Sequence, residues 1–341
     1  MEEKLIMQIK LETLTHVLTK MFGKKITHTD YEAKPMHHTG KVQLVTGIAR
    51  TDGGEKLPYN VVLKVQDKRE SPGDPDLWRK EYDLYAADFN NMIRAFTASK
   101  LMPDCYHAEI NSDETETQMW TEYIEGISGD GLTIEMFESM AAELGRFQGR
   151  IYEKQPQSLK NIACLKIIKR QETKEYLYIR SKDCAIPEDL RQTVVNNDVE
   201  MEKVLKNNKL PIVLCKGDFW AYNMIYSDGK MIHIDWERAK WGYICEDILE
   251  LIGSAITPYS FEAFKLNIQK LYEYYRRLVG TYLNSFSKYA DISHLDESVI
   301  WKLFITKLGY GVIGFYLMVE SDEKKQEHID ELYRIYEFEI K

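Results

Sequence analysis

Cysteine is scarce in this 341-residue chain: Cys105, Cys164, Cys184, Cys215 and Cys245 are five in number, scattered, and no two lie two residues apart. That argues against a disulfide framework or a cysteine-based zinc site, and leads to the expectation of a reducing cytoplasm. Positive charge is also short. Lys and Arg number 45 against 54 Asp and Glu, for a net charge of −9. Generic nucleic-acid binding wants a basic face, so that class is disfavoured, whereas a cationic small molecule is drawn to such a surface. Long apolar runs are missing: the most apolar stretch, GYGVIGFYLMV at 309–319, is too short by itself to span a bilayer. The N-terminal segment has no uninterrupted apolar core and no cleavage-like site, so it does not read as a signal peptide. There is no internal repeat, no low-complexity tract and no Gly/Ser- or Pro-rich linker.

What is present is an ordinary globular composition, 44% hydrophobic and 29% charged. The length exceeds what one hydrophobic core supports, so two lobes are expected. Leu11, Leu14, Leu18 and Met21 recur at helical spacing and predict a helix over roughly 3–22. VQLVTGIAR (42–50) and YNVVLKVQ (59–66) read as strands around the turn sequence TDGGEKLP. A helix is expected over 76–93 and a strand over 115–126. Helical patterns dominate afterwards, at 136–152, around 162–180, at 189–208 and at 324–340. The chain is therefore read as α+β, a strand-rich front and a helix-rich remainder joined by a short strap, with a cleft between.

One stretch interrupts the helices. CKGDFWAYNMIYSDGKMIHIDWE (215–237) puts four carboxylates and an Asn among apolar residues. Buried charge is costly unless it is paired or bound to metal. Asp228-Gly229 is a hairpin signal. A two-residue turn there pairs Tyr226 with Met231 and Asn223 with Ile234, which brings Asn223 and Asp235 to one rim, with Asp218 on the loop leading in. Hard oxygen donors of this kind suit Mg²⁺ with substrate phosphates. A third acid, free of the metal, can accept a hydroxyl proton, and Asp218 is placed for that.

KGDFWAYN followed by IHIDWE resembles the catalytic loop and metal-binding segment of the aminoglycoside phosphotransferase and choline kinase-like family. The match runs through Gly217, Asp218, Asn223, Ile234, Asp235, Trp236 and Glu237. The resemblance implies a two-lobed protein-kinase-like fold: an N-terminal lobe with an antiparallel sheet (1–121), a hinge (122–126) and a mainly helical C-terminal lobe (127–341). It implies Asp218 as catalytic base and Asn223 and Asp235 as metal ligands. Strand alternation puts Val62, Lys64 and Gln66 on one face of the second long strand and Val61, Leu63 and Val65 on the other. Lys64 is the candidate cation for a nucleotide's phosphates, and Glu81, seventeen residues on, its candidate partner, with Glu70 as a rival. MWTEYIEG (119–126) resembles the strap, where the backbone C=O of Glu122 and N–H of Ile124 would meet adenine with Thr121 behind.

The sequence departs from the family in two places. Lys216 stands where the family has His. A cation there either ties down the loop, or favours the charged form of Asp218 and weakens it as a base, or marks a kinase fold without turnover. A glycine-rich phosphate loop is also missing: EAKPMHHTGKVQ has one glycine, Gly40, and His37 and His38 find no third metal ligand. The expected reaction is transfer of the γ-phosphoryl group of ATP or GTP, with Mg²⁺, to a hydroxyl of a small acceptor such as an aminoglycoside or amino alcohol. Glu237, Trp236 and Trp241 are the candidate acceptor contacts, through carboxylate and aromatic faces. Asp247 is expected to cap or brace a helix, and most other aromatics to be core. The alternatives are an inactive kinase-like binding or scaffold protein and a metal-dependent phosphohydrolase. Neither a nucleic acid nor a membrane is expected as partner.

Overall fold

The computed structural model describes the chain except residues 1–8, 37–40, 71–76, 98–99, 167–173, 208–209, 257–267 and 339–341. In chain order the elements are α1 (Leu11–Phe22), β1 (Ile26–Thr29), β2 (Glu32–Pro35), β3 (Val42–Thr51), β4 (Lys56–Asp67), α2 (Leu77–Ala86), α3 (Phe89–Thr97), β5 (Cys105–Ile110) and β6 (Glu116–Glu122). Then follow α4 (Ile134–Lys154), α5 (Gln157–Lys160), α6 (Lys174–Ile179), α7 (Glu188–Asn207), β7 (Ile212–Cys215), β8 (Met224–Ser227), β9 (Lys230–His233) and β10 (Lys240–Tyr243). The chain closes with α8 (Glu246–Ile256), α9 (Ile268–Phe286), α10 (Glu297–Met318) and α11 (Asp322–Glu337). By contacts these form two units, neither contiguous in sequence. The first holds Met1–Gly129, Pro156–Leu165 and Asn223–Ala239; the second holds Asp130–Gln155, Lys166–Tyr222 and Lys240–Lys341.

The first unit is built on an antiparallel sheet of six strands, ordered β1-β3-β4-β6-β5 with β2 also paired to β3. The alternation in VVLKVQ holds. Val61, Leu63 and Val65 enter the core with Trp120 and with Leu14, Val17 and Leu18 of α1. The opposite face carries Val62, Lys64 and Gln66, which lie across from Thr121, Met119 and Thr117. Where one helix was expected over 76–93 there are two, because Asp88 takes a left-handed backbone (φ +58°). Asp tolerates that conformation, and the Asp88 carbonyl starts the next helix by accepting the Met92 N–H at 3.1 Å. The strand expected to run to Gly126 ends at Glu122.

The second unit is mainly helical, with β7 and β10 as a two-stranded antiparallel pair. Around 162–180 only a single turn at Ala163–Leu165 and the short α6 are helical among the described residues. The apolar run at 309–319 lies largely in α10, whose 22 residues are long and apolar enough to cross a membrane by length and composition. Half of its most apolar stretch is buried, and the helix packs against α6, α7 and α11. Trp301 sits in an aromatic cluster, edge-on to Tyr275 and Tyr272 with ring centres 4.8 and 5.0 Å apart.

Helices α4 and α9 approach closely because α4 presents glycine at the crossing. A Cβ on Gly145 would lie 2.3 Å from the Tyr282 carbonyl oxygen and 2.9 Å from the Ser285 Cβ. Backbone cannot yield cheaply in a packed core. Gly145→Ala is therefore expected to destabilise the protein by about 1–3 kcal/mol. Gly280→Ala, at an open helical position with nothing within 4 Å, should be neutral or stabilising by up to about 1 kcal/mol. Paired urea titrations of the two variants check this; equal stabilities would contradict the tight crossing.

Candidate active site

Lys64 projects from the face of β4 opposite the core. Its ammonium lies 2.6 Å from Glu81 Oε2 on α2 and 2.7 Å from Asp235 Oδ1. Burial disfavours the ammonium, but the two carboxylates outweigh it and hold its pKa above the usual lysine range. Glu81, almost wholly buried, uses its other oxygen to accept the Trp236 N–H at 3.2 Å. One glutamate thus ties α2 to β4 and to the segment after β9. The rival Glu70 lies in a short 3-10 turn at Lys68–Glu70.

The segment after β9 owes its place to the hairpin. Asp228 and Gly229 both have positive φ (+49° and +76°), as a primed two-residue turn requires. The register follows: Ser227 opposite Lys230, Tyr226 opposite Met231, Ile225 opposite Ile232, Met224 opposite His233. The Ile234 N–H then donates to the Asn223 carbonyl at 3.0 Å, so Asn223 and Asp235 lie just beyond the two strand ends, at one rim. Asp235 itself is left-handed (φ +62°), which redirects the chain where its carboxylate meets Lys64. Beside it, Glu237 accepts from Gln66 Nε2 at 3.0 Å, and Gln66 is the next residue after Lys64 on that face of β4.

The segment after β6 is fixed to the same hairpin. Ile127 and Tyr226 exchange two backbone hydrogen bonds of 3.0 and 2.8 Å. Gly126 lies flat against β8, where a Cβ would come within 2.6 Å of both Ile225 Cγ2 and the Tyr226 carbonyl oxygen. Thr121 and Glu122 are the last residues of β6, and Ile124 follows in the irregular segment. The Glu122 carboxylate accepts from Lys100 and from the Asp104 N–H (3.1 Å).

Asp218 belongs to the second unit, in the loop after β7. Gly217 and Asp218 are successive left-handed residues (φ +61° and +56°), a combination that costs energy at the non-glycine position and persists only when the surroundings enforce it. The enforcement comes from two sides. Asp247, at the start of α8 and wholly buried, accepts the N–H of Lys216 at 2.9 Å and of Gly217 at 3.0 Å. Lys216, also buried, donates its ammonium to the carbonyls of Gly217 (3.4 Å) and Asp218 (3.0 Å). Asp247 was expected to brace a helix; it braces this loop. The two lie thirty residues apart in sequence, and no local pattern reveals such a contact.

The Phosphotransferase enzyme family, APH, matches residues 69–278, well over half of the chain. The chain belongs to this family. Three solved structures illustrate its fold. An amicoumacin kinase in complex with AMP-PNP, Ca²⁺ and Ami is 14% identical, with a TM-score of 0.51 over 96% of both chains. The GDP complex of wild-type aminoglycoside 2'-phosphotransferase-IIIa is 12% identical, with a TM-score of 0.52 over 97% of this chain and 99% of that one. A choline kinase from Cryptosporidium parvum Iowa II is 13% identical, with a TM-score of 0.53 over 90% and 89%. At such identities the likeness is one of fold: α+β and protein-kinase-like, with an N-terminal antiparallel sheet and a helical C-terminal region. No curated protein matches the sequence.

Two expectations for the phosphotransferase need correction. Trp236 is fully buried, packed edge-on to Phe89 at 5.3 Å with its indole N–H on the His233 carbonyl. Trp241 is buried in β10. Both are packing residues: each ring contributes a large apolar surface to the interior. His37, His38 and Gly40 lie outside the described residues. Among the described residues no three His, Cys, Asp or Glu side chains gather into a metal cluster of their own. The charge balance around Lys64 nevertheless fits a dication: Glu81, Asp235 and Glu237 are three carboxylates about one ammonium. Glu237 shows the excess, its pKa pushed up to about 6 by burial first and then by Asp235, against the opposing pull of Lys64.

A ¹³C carboxyl titration of Glu237 should therefore have its midpoint near 6, move down in Asp235→Asn and move up in Lys64→Met. Because this folded-state value lies above the ordinary 4.5, stability relative to Glu237→Gln should be full below 4.5 and fall as pH rises through about 6. A midpoint that ignores both substitutions would contradict the cluster.

Proposed function

We propose that this phosphotransferase moves the γ-phosphoryl group of ATP or GTP to a hydroxyl of a small, cationic acceptor in a Mg²⁺-dependent reaction. The observation that carries the reading is the Lys64 ammonium held between Glu81 and Asp235 in a chain of this family. Relatives of the same fold are solved with AMP-PNP and Ca²⁺ or with GDP. In this reading Lys64 steadies the phosphates, and Glu81 keeps the lysine in place. Asn223 and Asp235 would hold the metal, with Glu237 near enough to Asp235 to feel its charge. When bound, the dication draws charge from the phosphate oxygens and orients them. The strap offers the Glu122 carbonyl and Ile124 N–H to the base, with Thr121 behind, and the pairing of Ile127 with Tyr226 ties that strap to the metal hairpin.

Asp218 orients the acceptor hydroxyl and takes its proton as the oxygen attacks the γ-phosphorus. The bond from that phosphorus to the β-phosphate oxygen breaks, and the nucleoside diphosphate leaves with the electron pair. Lys216 fits this role although it replaces the family's His. Its ammonium reaches backbone carbonyls of the loop and so ties the turn down, which is the first of the three readings of that residue and the one that keeps Asp218 in use. The acidic surface, with net charge −9, supports a cationic acceptor through long-range attraction.

The test is nucleotide consumption with Mg²⁺ against a panel of aminoglycosides, amino alcohols, sugars and nucleosides. At least one acceptor should stimulate turnover. Asp218→Asn should cut kcat by about 10²–10⁴-fold while nucleotide binding by calorimetry is kept. Full rate in that variant removes Asp218 as the base. Acceptor-independent phosphate release at the same rate would favour a phosphohydrolase instead.

A further inference from the structure

Within the second unit a buried polar chain runs from α9 through α4 to the loop of Asp218. The Tyr282 hydroxyl, on the wholly buried ring, donates to Gln148 Oε1 at 2.5 Å. That bond sets which end of the amide points which way. Gln148 Nε2 then donates to the Leu214 carbonyl at 3.0 Å and to Asp247 Oδ2 at 3.0 Å. Asp247 passes the constraint to the N–H groups of Lys216 and Gly217. Gln148 is itself fully buried, on a face of α4 otherwise made of Phe137, Met140, Leu144 and Ile151. A polar amide in such a position is costly unless all its groups are used. Here they are used, on β7, α8 and α9, with no bond to its own helix. Gly145, one turn earlier, thins α4 so that α9 comes close enough for Tyr282 to reach it.

We propose that Gln148 is a positioning residue for phosphoryl transfer: its donation to Asp247 fixes the carboxylate that holds the left-handed turn carrying Asp218. The inference rests on the proposed role of Asp218. Removing the donor has two consequences. The turn loses part of its enforcement, and ionised Asp247 loses a hydrogen bond. Burial already pushes the Asp247 pKa up to about 6, against the pull of the two backbone N–H groups. Other charged or titratable groups facing it are Glu246 and Glu250 on its own helix, Cys215 on β7, Lys216 in the loop, Tyr282 on α9 and Lys240 on β10, with Lys307 of α10 acting on Glu246. Of these, Tyr282 and Cys215 also touch Gln148, but burial holds both well above their ordinary pKa and so neutral at acid pH, and the loss of the amide donor should raise the Asp247 value further.

The experiment compares wild type, Gln148→Leu, Gln148→His and Tyr282→Phe in full-length protein. Three readouts are taken: kcat and nucleotide KM, the acid limb of the pH–rate profile, and amide exchange at Lys216 and Gly217. Gln148→Leu should lower kcat by about 10–100-fold with KM nearly unchanged, shift the acid limb to higher pH, and speed exchange at both amides. Gln148→His, which keeps an N–H donor, should recover part of each. Tyr282→Phe, which frees the amide to turn, should move each in the same direction by a smaller factor. Unchanged kcat, acid limb and exchange in Gln148→Leu would overturn the proposal. If that variant does not fold, the same null result in Tyr282→Phe overturns it. Should wild type transfer no phosphate, the reading of Asp218 fails, and the exchange comparison still decides whether Gln148 holds the turn.

Discussion

The ammonium of Lys64 is the fixed point of the first unit. Three separated parts of the chain converge on it: β4 supplies the lysine, α2 supplies Glu81, and the end of the β8–β9 hairpin supplies Asp235. A half-buried lysine is tolerable only when paired, and buried carboxylates only when they are paired or hydrogen-bonded. Each group therefore needs the others. Glu81 adds the Trp236 N–H to the set, so the backbone after the hairpin is held as firmly as the side chains. Glu237 stands beside this set, its pKa raised by burial first and then by Asp235, against the pull of Lys64 and Arg238.

The second unit treats Asp218 differently. There the shape of the backbone is what is held. Two successive left-handed residues turn the chain, and opposite charges hold that turn from its two sides, the Asp247 carboxylate on the N–H groups and the Lys216 ammonium on the carbonyls. Local strain of this kind is kept where the surroundings over-determine it. Gln148 and Tyr282 extend the over-determination into the helical core, so that packing of α4 on α9 bears on the loop. Gly145 at that crossing thus serves packing and geometry together.

Much of this was legible before folding. Asp228-Gly229 between two short apolar runs fixed the hairpin register, since a two-residue turn leaves no freedom in pairing, and with it the places of Asn223 and Asp235 just beyond the strand ends. Period-two alternation put Lys64 on the face away from Leu63 and Val65. The motif order around Asp218 carried the family. Other features were not legible. The break between α2 and α3 depends on one aspartate adopting positive φ, which a run of helical spacing conceals. The aromatic residues were ambiguous for a plain reason: Trp236 and Trp241 have the same composition signal whether they line a site or fill a core, and burial decides.

The sequence by itself determined whatever depends on near neighbours along the chain: strand faces, the hairpin turn, the spacing of acids and amide from residue 218 to 237. Tertiary structure alone decided the pairings at long range. Glu81 rather than another glutamate holds Lys64, Asp247 braces a loop thirty residues before it, and Gln148 reaches Asp247 across ninety-nine positions. The physical reason is that periodicity encodes which way a side chain points from its own element, while the partner it meets is set by how elements pack, and that is a sum over the whole core.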